Sequence, residues 1–325
     1  MEMHRRRFLG ILGLGSLGAH WALGAGETGL GPGLVFQFDD GWPNWTEVIA
    51  PELKKAGGKA TGFVCNQYVD SGRISVKQLR KLQDDSGWEI GSHCYHHLHA
   101  PRYVQKHGLD QWLKEELDAS LKALRAMGLK VRSLAFPYNA FTPEVAAAAM
   151  KRVESFRRAE PIAVAPGIRT DGSVPGSAMD IAQYTPVNII KPWIDFAARR
   201  GEVLFLYGHR VLSDDQFTSG TVAGLAGNSV TAKDPVNVPE GEEMVLVSNP
   251  TRRANEKSVM RVVSAKGRDI RCERVEEGAL GIGDGFLMGP SYGTRLSDFR
   301  AILAHAKGKL PFYTLHEIAR KSHTS

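Results

Sequence analysis

Apolar and polar positions alternate along the first two thirds of the chain in a way that is typical of repeated βα units. Between Gly33 and about His209, short apolar runs of strand length are followed by amphipathic stretches that end on glycine, as helices often do. The predicted strands are LVFQF, ATGFVC, WEIGSH, SLAFPY, IAVAP, YTPVNI and VLFLYG, and the predicted helices are TEVIAPELKKAG, SVKQLRKLQDDSG, LDQWLKEELDASLKALRAMG and PWIDFAARRG. Parallel strands joined by helices predict an α/β fold, and the number of strands favours a barrel.

This pattern changes after His209. The stretch from Phe217 to Pro290 has no helical period and contains the short apolar segments EMVLVS, SVMRVVSA, DIRCERV and GFLMG, separated by glycine, proline, asparagine and glutamate. Such segments are typical of short antiparallel strands. Helical periodicity returns at RLSDFRAILAHAKGK and FYTLHEIAR. We therefore predict a β-rich module over residues 217–290, inserted into an α/β domain that spans residues 33–212 and is completed by residues 291–325.

The N-terminal segment has the pattern of an export signal. Three arginines at positions 5–7 precede an apolar run over residues 8–19, and small residues follow up to position 25. The Arg-Arg-x-Phe-Leu order resembles the twin-arginine signal, which exports proteins that have already folded. The apolar run is shorter than the roughly 20 residues that a membrane span needs. We expect cleavage after residues 1–25, export to the periplasm or the cell exterior, and no stable membrane span afterwards.

Composition excludes some classes of protein. The chain of 325 residues is 42% hydrophobic, which is enough for a full core, and its formal net charge of +6 is mild. No basic stretch is interleaved with aromatic residues, so nucleic acid is not an expected partner. Cys65, Cys94 and Cys272 are odd in number and scattered, which argues against a disulfide framework.

Two neighbouring acids, Asp39 and Asp40, end the first predicted strand and are followed by Gly41. Consecutive side chains of a strand face opposite sides, so both carboxylates reach one site only if the chain turns there, which Gly41 permits. Carboxylates this close repel each other and resist burial unless a cation or a proton is present. A lone acid pair more often caps a helix or forms an ion pair, so the signal needs support from elsewhere in the chain.

That support comes from the histidines of EIGSHCYHHLHA, which follow another predicted strand. His93 and His97 are spaced i, i+4 and can present both imidazoles to one point, and His93 with His96 is the alternative pair. Neutral imidazole suits zinc and related metals. A hydrogen-bonded surface cluster of histidines is the competing interpretation. A carboxylate from one strand end and two histidines from another together predict a metal site.

The order of these segments resembles that of the polysaccharide deacetylase family, the NodB-homology carbohydrate esterases of family 4. FDDG, SHCYHH in the H-x-x-x-H register, FPY and LYGH occur in that family's order and approximate spacing. The resemblance covers residues 33–212 and again 291–320. It implies a distorted (β/α) barrel and hydrolysis of acetyl groups on a glycan, the expected partner.

The resemblance also implies roles for individual residues. Asp40, His93 and His97 would bind a divalent metal, usually zinc, and Asp39 would be the general base. The backbone N–H of Tyr138 would help to hold the oxyanion, and His209 would be the general acid. The chemistry is coherent, because bound zinc lowers the pKa of a water from about 15.7 to roughly 7 and polarises the acyl carbonyl.

The chain departs from the family pattern at two places. The third motif usually begins with an arginine that orients the base, and Ala135 occupies that position, with Arg132 and Arg169 as possible substitutes. The Asp and Trp of the fourth motif have no clear match. Trp193 and Asp195 in KPWIDF are candidates, but ordinary helix packing is the favoured interpretation of both.

Three functions stay open at this point. The leading one is an exported metal-dependent deacetylase acting on N-acetyl or O-acetyl groups of a glycan, with N-acetyl groups favoured. The second is a non-haem iron oxygenase, which also uses two histidines and one carboxylate but has no need for Asp39. The third is a non-catalytic or weakly active glycan-binding homologue, favoured by Ala135. Because Phe217 and Phe286 are the only aromatic residues of the β-rich module, we expect it to serve in packing or partner contact rather than in sugar stacking.

Overall fold

The computed structural model describes residues 31–236, 238, 241–253 and 258–322, so the predicted export signal lies outside the described residues. The strands are β1 (Gly33–Asp40), β2 (Thr61–Val64), β3 (Glu89–Ser92), β4 (Ser133–Ala135), β5 (Ser155–Ala159), β6 (Val164–Ala165), β7 (Ser173–Ala178), β8 (Val203–Gly208), β9 (Arg210–Leu212), β10 (Thr218–Ala226), β11 (Ser229–Ala232), β12 (Met244–Ser248), β13 (Val259–Lys266), β14 (Asp269–Cys272), β15 (Gly285–Pro290) and β16 (Gly293–Arg295).

The α-helices are α1 (Ala50–Lys55), α2 (Asn66–Asp70), α3 (Val76–Ser86), α4 (Ala100–His107), α5 (Leu109–Trp112), α6 (Ala119–Ala126), α7 (Pro143–Ala149), α8 (Val187–Arg200), α9 (Leu296–Ala306) and α10 (Leu315–Ser322). A π-helical turn, Trp45–Ile49, leads into α1, and another, Leu113–Asp118, joins α5 to α6. Short 3-10 turns occur at Pro137–Asn139, Ile181–Gln183 and Asp214–Gln216. Within the described ranges, no helix has the length and apolar character needed to cross a membrane.

Seven parallel strands close into a barrel in the order β1-β2-β3-β4-β5-β7-β8, and β8 pairs with β1. Alternation along β1 shows how its side chains are sorted. Phe36 and Phe38 pack outward against the helices, whereas Val35 packs inside the barrel with Phe205. Asp39 is on the same face as Val35 and therefore enters the barrel at the carboxyl end of the strand. This confirms the predicted (β/α) barrel.

Helix α10 closes the amino-terminal end of the barrel. Its residues Leu315 and Ile318 are fully buried and pack with Val35, Val203 and Phe205 of the inner core. The interior at this end is therefore filled by apolar side chains. Polar and charged side chains collect at the carboxyl ends of the strands, which is the usual place for a functional site in this architecture.

A second, smaller barrel of six antiparallel strands has the order β10-β11-β14-β13-β12-β15. This confirms the predicted all-β module, although β10 and β11 were not among the predicted strands. Phe286 lies in its interior, and Phe217 packs where the two barrels meet, so neither presents a platform for sugar stacking. Arg210 donates two hydrogen bonds of 2.8 Å to Glu242, which adds a polar link between the barrels.

The predicted positions of the strands were wrong in the second half of the large barrel. YTPVNI is not a strand, because Pro186 caps α8 and the chain is helical from Val187. IAVAP supplies only the two-residue β6, which pairs antiparallel with β8. The true barrel strands are SFRRA and SVPGSA, which were missed because serine, arginine, glycine and proline give no apolar run.

Candidate active site

The chain turns sharply where β1 ends. Asp40 has φ 78° and Gly41 has φ 84°, so two consecutive residues adopt the left-handed conformation. A Cβ at position 41 would lie 2.7 Å from a methyl of Val64 and 2.9 Å from one of Ile74, so glycine is required here for space as well as for backbone geometry. A non-glycine residue at positive φ is strained, and such strain is concentrated at functional sites. The turn lets both carboxylates face the same cleft.

Three of the predicted site residues lie close together. The Nε2 atoms of His93 and His97 are 3.6 and 3.4 Å from Asp40 Oδ1, and ligand atoms of the three residues lie within 4.8 Å of one another. Asp40 and His93 are buried, and the two imidazole rings meet edge to face with centroids 4.9 Å apart. The chain therefore presents two nitrogens and one oxygen to a common point.

The hydrogen bonds of these residues favour a cation between them. His93 Nδ1 lies 2.7 Å from the backbone carbonyl of Ala135, which can only accept, so Nδ1 donates this hydrogen bond and Nε2 is the nitrogen that faces Asp40. Asp40 Oδ1 is buried and has no hydrogen-bond partner among the described residues. A buried carboxylate oxygen without a hydrogen-bond partner is costly unless a cation binds there. The residues present fit a divalent metal.

His97 is kept in the form that a metal needs. Burial, followed by the nearby His93, lowers the pKa of His97 to about 4, although Asp40 and Asp39 act in the opposite direction. The imidazole is therefore neutral at physiological pH, and only neutral imidazole binds metal.

The other histidines of the cluster are used differently. His96 turns away from Asp40, and its Nδ1 lies 2.6 Å from the buried carboxylate of Glu116, which also accepts from the His96 backbone N–H. The ring of His99 accepts a hydrogen bond from the backbone N–H of Arg102 and so caps α4. The structure therefore brings the i, i+4 pair to Asp40 and leaves the i, i+3 alternative apart.

Asp39 is held by an arginine that the sequence did not indicate. Arg157 Nη1 and Nη2 each donate a 2.7 Å hydrogen bond to one carboxylate oxygen of Asp39, and both side chains are buried. Arg157 lies directly across from Ala135 in the parallel register of β4 and β5. The two suggested substitutes are elsewhere, since Arg132 pairs with Glu154 and Arg169 pairs with Glu160.

The charge of Arg157 decides the ionisation of Asp39. Burial alone would raise the pKa of this carboxyl, but Arg157 and His93 together lower it to about 2. Arg157 is itself positioned by Asn139 Oδ1, which accepts from Nε and Nη2 at 3.3 and 3.1 Å, and by the ring of Tyr207 at 4.2 Å. The sequence feature that could have identified Arg157 as the partner of Asp39 is an arginine in the short polar segment SFRRA, which forms the strand beside Ala135.

His209 has a carboxylate partner, Asp180, which the sequence also did not indicate. His209 Nδ1 lies 2.6 Å from Asp180 Oδ2, while Asp180 Oδ1 accepts from Thr294 and from the His209 backbone N–H. Burial would lower the pKa of His209, but the charge and hydrogen bond of Asp180 raise it to about 9. Asp195 instead binds His305 and Lys309, and Trp193 packs at the edge of the core.

A cleft of about 510 Å³ brings the predicted site residues together. Its lining includes Asp39, Asp40, His93, His97, Tyr138 and His209, together with Arg157 and Asp180. Tyr138 follows β4 with φ 59°, is 63% exposed, and has its ring 4.7 Å from that of His97. Tyr292, which precedes β16, places its ring 4.8 Å from that of His209. The site therefore opens to solvent between exposed aromatic rings.

A carboxylate with two histidines, beside a separately held carboxylate and a separately held histidine, lies at the carboxyl end of the (β/α) barrel, an arrangement that suits metal-assisted hydrolysis. Comparison with known families agrees: residues 28–153 match the model of the polysaccharide deacetylase family. The match covers less than half of the chain, and it bears out the resemblance and the hydrolase class that the resemblance implies. The match ends before Arg157, Asp180 and His209. No curated protein matches the chain.

Several solved structures are similar to this chain. The family 4 carbohydrate esterase from Streptomyces lividans, solved with acetate, is 18% identical, covers 55% of this chain and 79% of its own, and has a TM-score of 0.40. The Xyl-CE4 domain of a multidomain xylanase from the hindgut metagenome of Trinervitermes trinervoides is 19% identical, covers 55% of this chain and 74% of its own, and has a TM-score of 0.38. A deacetylase from Streptococcus pyogenes, solved with acetate, is 19% identical, covers 43% of this chain and 61% of its own, and has a TM-score of 0.37.

Proposed function

We propose that this chain is an exported, metal-dependent deacetylase that hydrolyses acetyl groups on a glycan, with N-acetyl groups preferred to O-acetyl groups. The observation that carries the proposal is that Asp39 and His209, each held by its own buried partner, border the cleft that contains Asp40, His93 and His97. Hydrolysis of an acetyl group needs one acceptor for the proton of water and one donor for the leaving group. The cleft provides one of each.

The metal would be held by Asp40, His93 and His97, a donor set that suits zinc. When bound, it supplies Lewis-acid polarisation of the acyl carbonyl and lowers the pKa of a water. The support from this chain is the buried oxygen of Asp40, which has no hydrogen-bond partner among the described residues, and the Nε2 atom of His93, which faces Asp40 while Nδ1 is bound to the Ala135 carbonyl.

Asp39 is the proposed base. The paired hydrogen bonds from Arg157 use one lone pair on each carboxylate oxygen, so the remaining lone pairs can accept the proton of the attacking water. Arg157 fixes the orientation of the carboxylate and keeps it ionised. The backbone N–H of Tyr138 is the proposed donor to the oxyanion, and a single donor of this kind contributes about 10² to 10³ to kcat.

His209 is the proposed acid. Asp180 binds Nδ1, so Nε2 is the nitrogen available to donate into the cleft, and the raised pKa of about 9 keeps the ring charged at neutral pH. The nitrogen of an N-acetyl group cannot leave as its anion and needs a proton, the alkoxide of an O-acetyl ester needs one less, and a phenolate can leave without one. A strongly held acid of this kind is what favours N-acetyl substrates over O-acetyl ones.

The test uses leaving groups of different quality. His209→Ala should lower deacetylation of N-acetylglucosamine oligomers by about 10² to 10⁴ and spare hydrolysis of an activated aryl acetate. His305→Ala is the matched control and should affect neither reaction, because His305 of α9 pairs with Asp195 of α8 and does not line the cleft. Equal loss on both substrates with bound metal retained would contradict the acid role. Acetate release from no glycan by the zinc-loaded wild type would favour the non-catalytic homologue, and oxygen uptake by the iron-loaded protein would favour the oxygenase.

The proposal that the chain is exported rests only on the sequence pattern of residues 1–25. Replacing the paired arginines Arg5 and Arg6 with lysine should block export through the twin-arginine route while leaving the folded protein in the cytoplasm of the producing cell. Export of the double variant at the wild-type level would contradict that route.

A further inference from the structure

The charged side chains that line the cleft are mostly neutralised in pairs. A depression of about 350 Å³ adjoins the cleft and shares Ala182, Gln183 and Tyr207 with it. Every carboxylate that lines either space has a cationic partner or belongs to the candidate metal triad. The pairs are Asp39–Arg157, Asp180–His209, Glu242–Arg210, Glu243–Arg261 and Glu160–Arg169. Two arginines of the lining, Arg73 and Arg253, have no carboxylate partner among the described residues.

Arg73 lies in the cleft between two aromatic rings. Its guanidinium carbon is 3.5 Å from the ring centroid of Tyr68 and 4.3 Å from that of Trp42. Stacking of this kind holds the plane of the guanidinium and leaves its N–H edge available to a coplanar acceptor. Arg210, which also contacts the Trp42 ring, differs in that Glu242 already occupies its edge with two hydrogen bonds. Arg73 is thus an oriented cation facing the substrate space.

Arg253 occupies the adjoining depression and is held only by neutral acceptors. Its Nη1 donates to the carbonyl of Pro161, and its Nη2 lies 3.5 Å from both the carbonyl of Glu160 and the hydroxyl of Ser177. Burial lowers the pKa of Arg253, which means that its charge has lost water without gaining a compensating anion in the described part of the chain. A guanidinium has five N–H groups, so donors remain for a ligand.

The two arginines lie on opposite sides of the proposed reaction centre. Around the large barrel the strands run β2, β1, β8, β7, with Asp39 and Asp40 ending β1 and His209 following β8. Arg73 comes from the segment after β2 and α2, whereas the depression around Arg253 is lined by Gly176 and Ala178 of β7. A chain of sugars crossing the reaction centre would meet one cation on each side.

We propose that this groove takes an anionic acetylated glycan whose carboxylates pair with Arg73 and Arg253 on either side of the sugar that is deacetylated. The proposal rests on the proposed function. A carboxylate matches the planar fork of guanidinium in a two-point hydrogen bond, and it neutralises the two cations that the protein leaves unpaired. The carboxylates can come from uronic acid residues or from lactyl ethers on the sugar, and the substrates below separate these sources.

The experiment compares each carboxylated glycan with its carboxyl-reduced form. One pair is hyaluronan oligosaccharides, in which glucuronate alternates with N-acetylglucosamine, and the other is peptide-free peptidoglycan strands, which carry lactyl ethers. For at least one pair, the carboxylated form should have a kcat/KM at least tenfold higher, since a charge-assisted hydrogen bond is typically worth about tenfold or more. The pair that shows the difference identifies the source of the carboxylate. Added salt should raise KM for that substrate alone.

Variants assign the effect to the two arginines. Arg73→Gln and Arg253→Gln should each raise KM for the preferred carboxylated glycan about tenfold and leave kcat/KM unchanged for its reduced form and for neutral N-acetylglucosamine oligomers. Arg73→Lys should be intermediate, because it keeps the charge but loses the planar fork. Arg274→Gln is the control, because it removes an equal charge from a side chain that is 77% exposed on the small barrel, and it should change nothing.

Two outcomes would overturn the proposal: equal kcat/KM for the carboxylated and reduced forms of both glycans, or unchanged KM in both Gln variants. If Arg73→Gln does not fold, Arg253→Gln decides alone, since its side chain contacts only neutral groups of the described chain. Failure of the proposed function looks different, because acetate would then be released from none of the substrates, neutral or charged, by the zinc-loaded wild type.

Discussion

Arg157 binds Asp39 through two parallel hydrogen bonds of 2.7 Å, and it does so from the position directly across from Ala135 in the β4–β5 register. In the family that this chain resembles, the arginine that orients the base usually occupies the position of Ala135. In this chain the cation that binds Asp39 comes instead from the neighbouring strand, at the same level of the barrel as Ala135. The carboxylate of Asp39, the proposed base, is therefore held in one orientation even though the motif that normally supplies its partner is incomplete.

Removing the partner of a buried carboxylate should be costly. Arg157→Gln should lower kcat by about 10² or more, because Asp39 loses its orientation, while bound zinc stays near the wild-type level. It should also lower the free energy of unfolding by roughly 3 to 5 kcal/mol, because a buried charge is left unpaired. Denaturant unfolding and metal analysis measure both effects.

Two further variants separate these effects. Adding Asp39→Asn to Arg157→Gln should recover part of the lost stability but none of the activity. Adding Ala135→Arg to Arg157→Ala should recover part of the activity, since the guanidinium then comes from the adjacent strand. An Arg157→Gln enzyme with wild-type kcat would contradict the positioning role.

Gly176 gives a way to displace Arg157 without changing any charge. A Cβ at this position would lie 2.8 Å from Cδ of Arg157 and 3.1 Å from a ring carbon of Tyr207. Gly176→Ala should therefore shift Arg157 and lower kcat with little change in bound zinc. Gly224→Ala, in the small barrel, would meet only Thr231 atoms at 3.6 and 3.7 Å and is the matched control. Equal kcat for both variants would show that the Arg157 geometry is not needed.

The metal site should depend on His97 and not on His96. His97→Ala should lose most bound zinc, because one of three protein ligands is removed. His96→Ala should keep zinc but lose stability, since buried Glu116 loses its imidazole partner. Zinc content measured by elemental analysis on folded, gel-filtered protein decides this. Loss of zinc in His96→Ala with retention in His97→Ala would transfer the ligand role to the i, i+3 pair.

The pKa of His209 should be visible in the metal-free protein. Its value of about 9 lies above the ordinary 6.5, so protonation favours the folded state. The stabilisation is complete below about pH 6.5 and is lost as the pH rises through about 9. NMR titration, with His209→Gln used for assignment, should find one imidazole that titrates near 9, and Asp180→Asn should lower that value. Bound zinc should also lower it, because the cation offsets the charge of Asp40. Titration of His209 near 6.5 in the wild type would contradict the Asp180 interaction.

The sequence predicted both the strand and the site wherever candidate site residues directly follow an apolar strand. FDDG and SHCYHH follow strands with clear apolar runs, so both the barrel strands and the convergence of Asp40, His93 and His97 could be anticipated. The i, i+4 spacing also pointed to the pair that faces Asp40. In each case the local pattern and the tertiary position agree.

The partners of the catalytic groups were not predictable in the same way. Arg157 lies on β5 and Asp180 follows β7, two strands whose sequences, SFRRA and SVPGSA, are interrupted by serine, arginine, proline and glycine and so give no continuous apolar run. A polar strand inside a barrel resembles a loop when only its sequence is read. The pairings of Asp39 with Arg157 and of His209 with Asp180 depend on barrel closure, which no local pattern specifies.

The most direct test of the account measures acetate release and bound zinc in the same preparations of wild type, Asp40→Asn and Asp39→Asn, with an N-acetylglucosamine oligomer as substrate. We predict that zinc-loaded wild type releases acetate and that Asp40→Asn loses zinc and activity together. Asp39→Asn should keep its zinc and lose about 10² to 10⁴ in kcat, the usual contribution of a general base. Wild-type activity in Asp39→Asn with zinc bound, or equal loss of zinc in both variants, would contradict it.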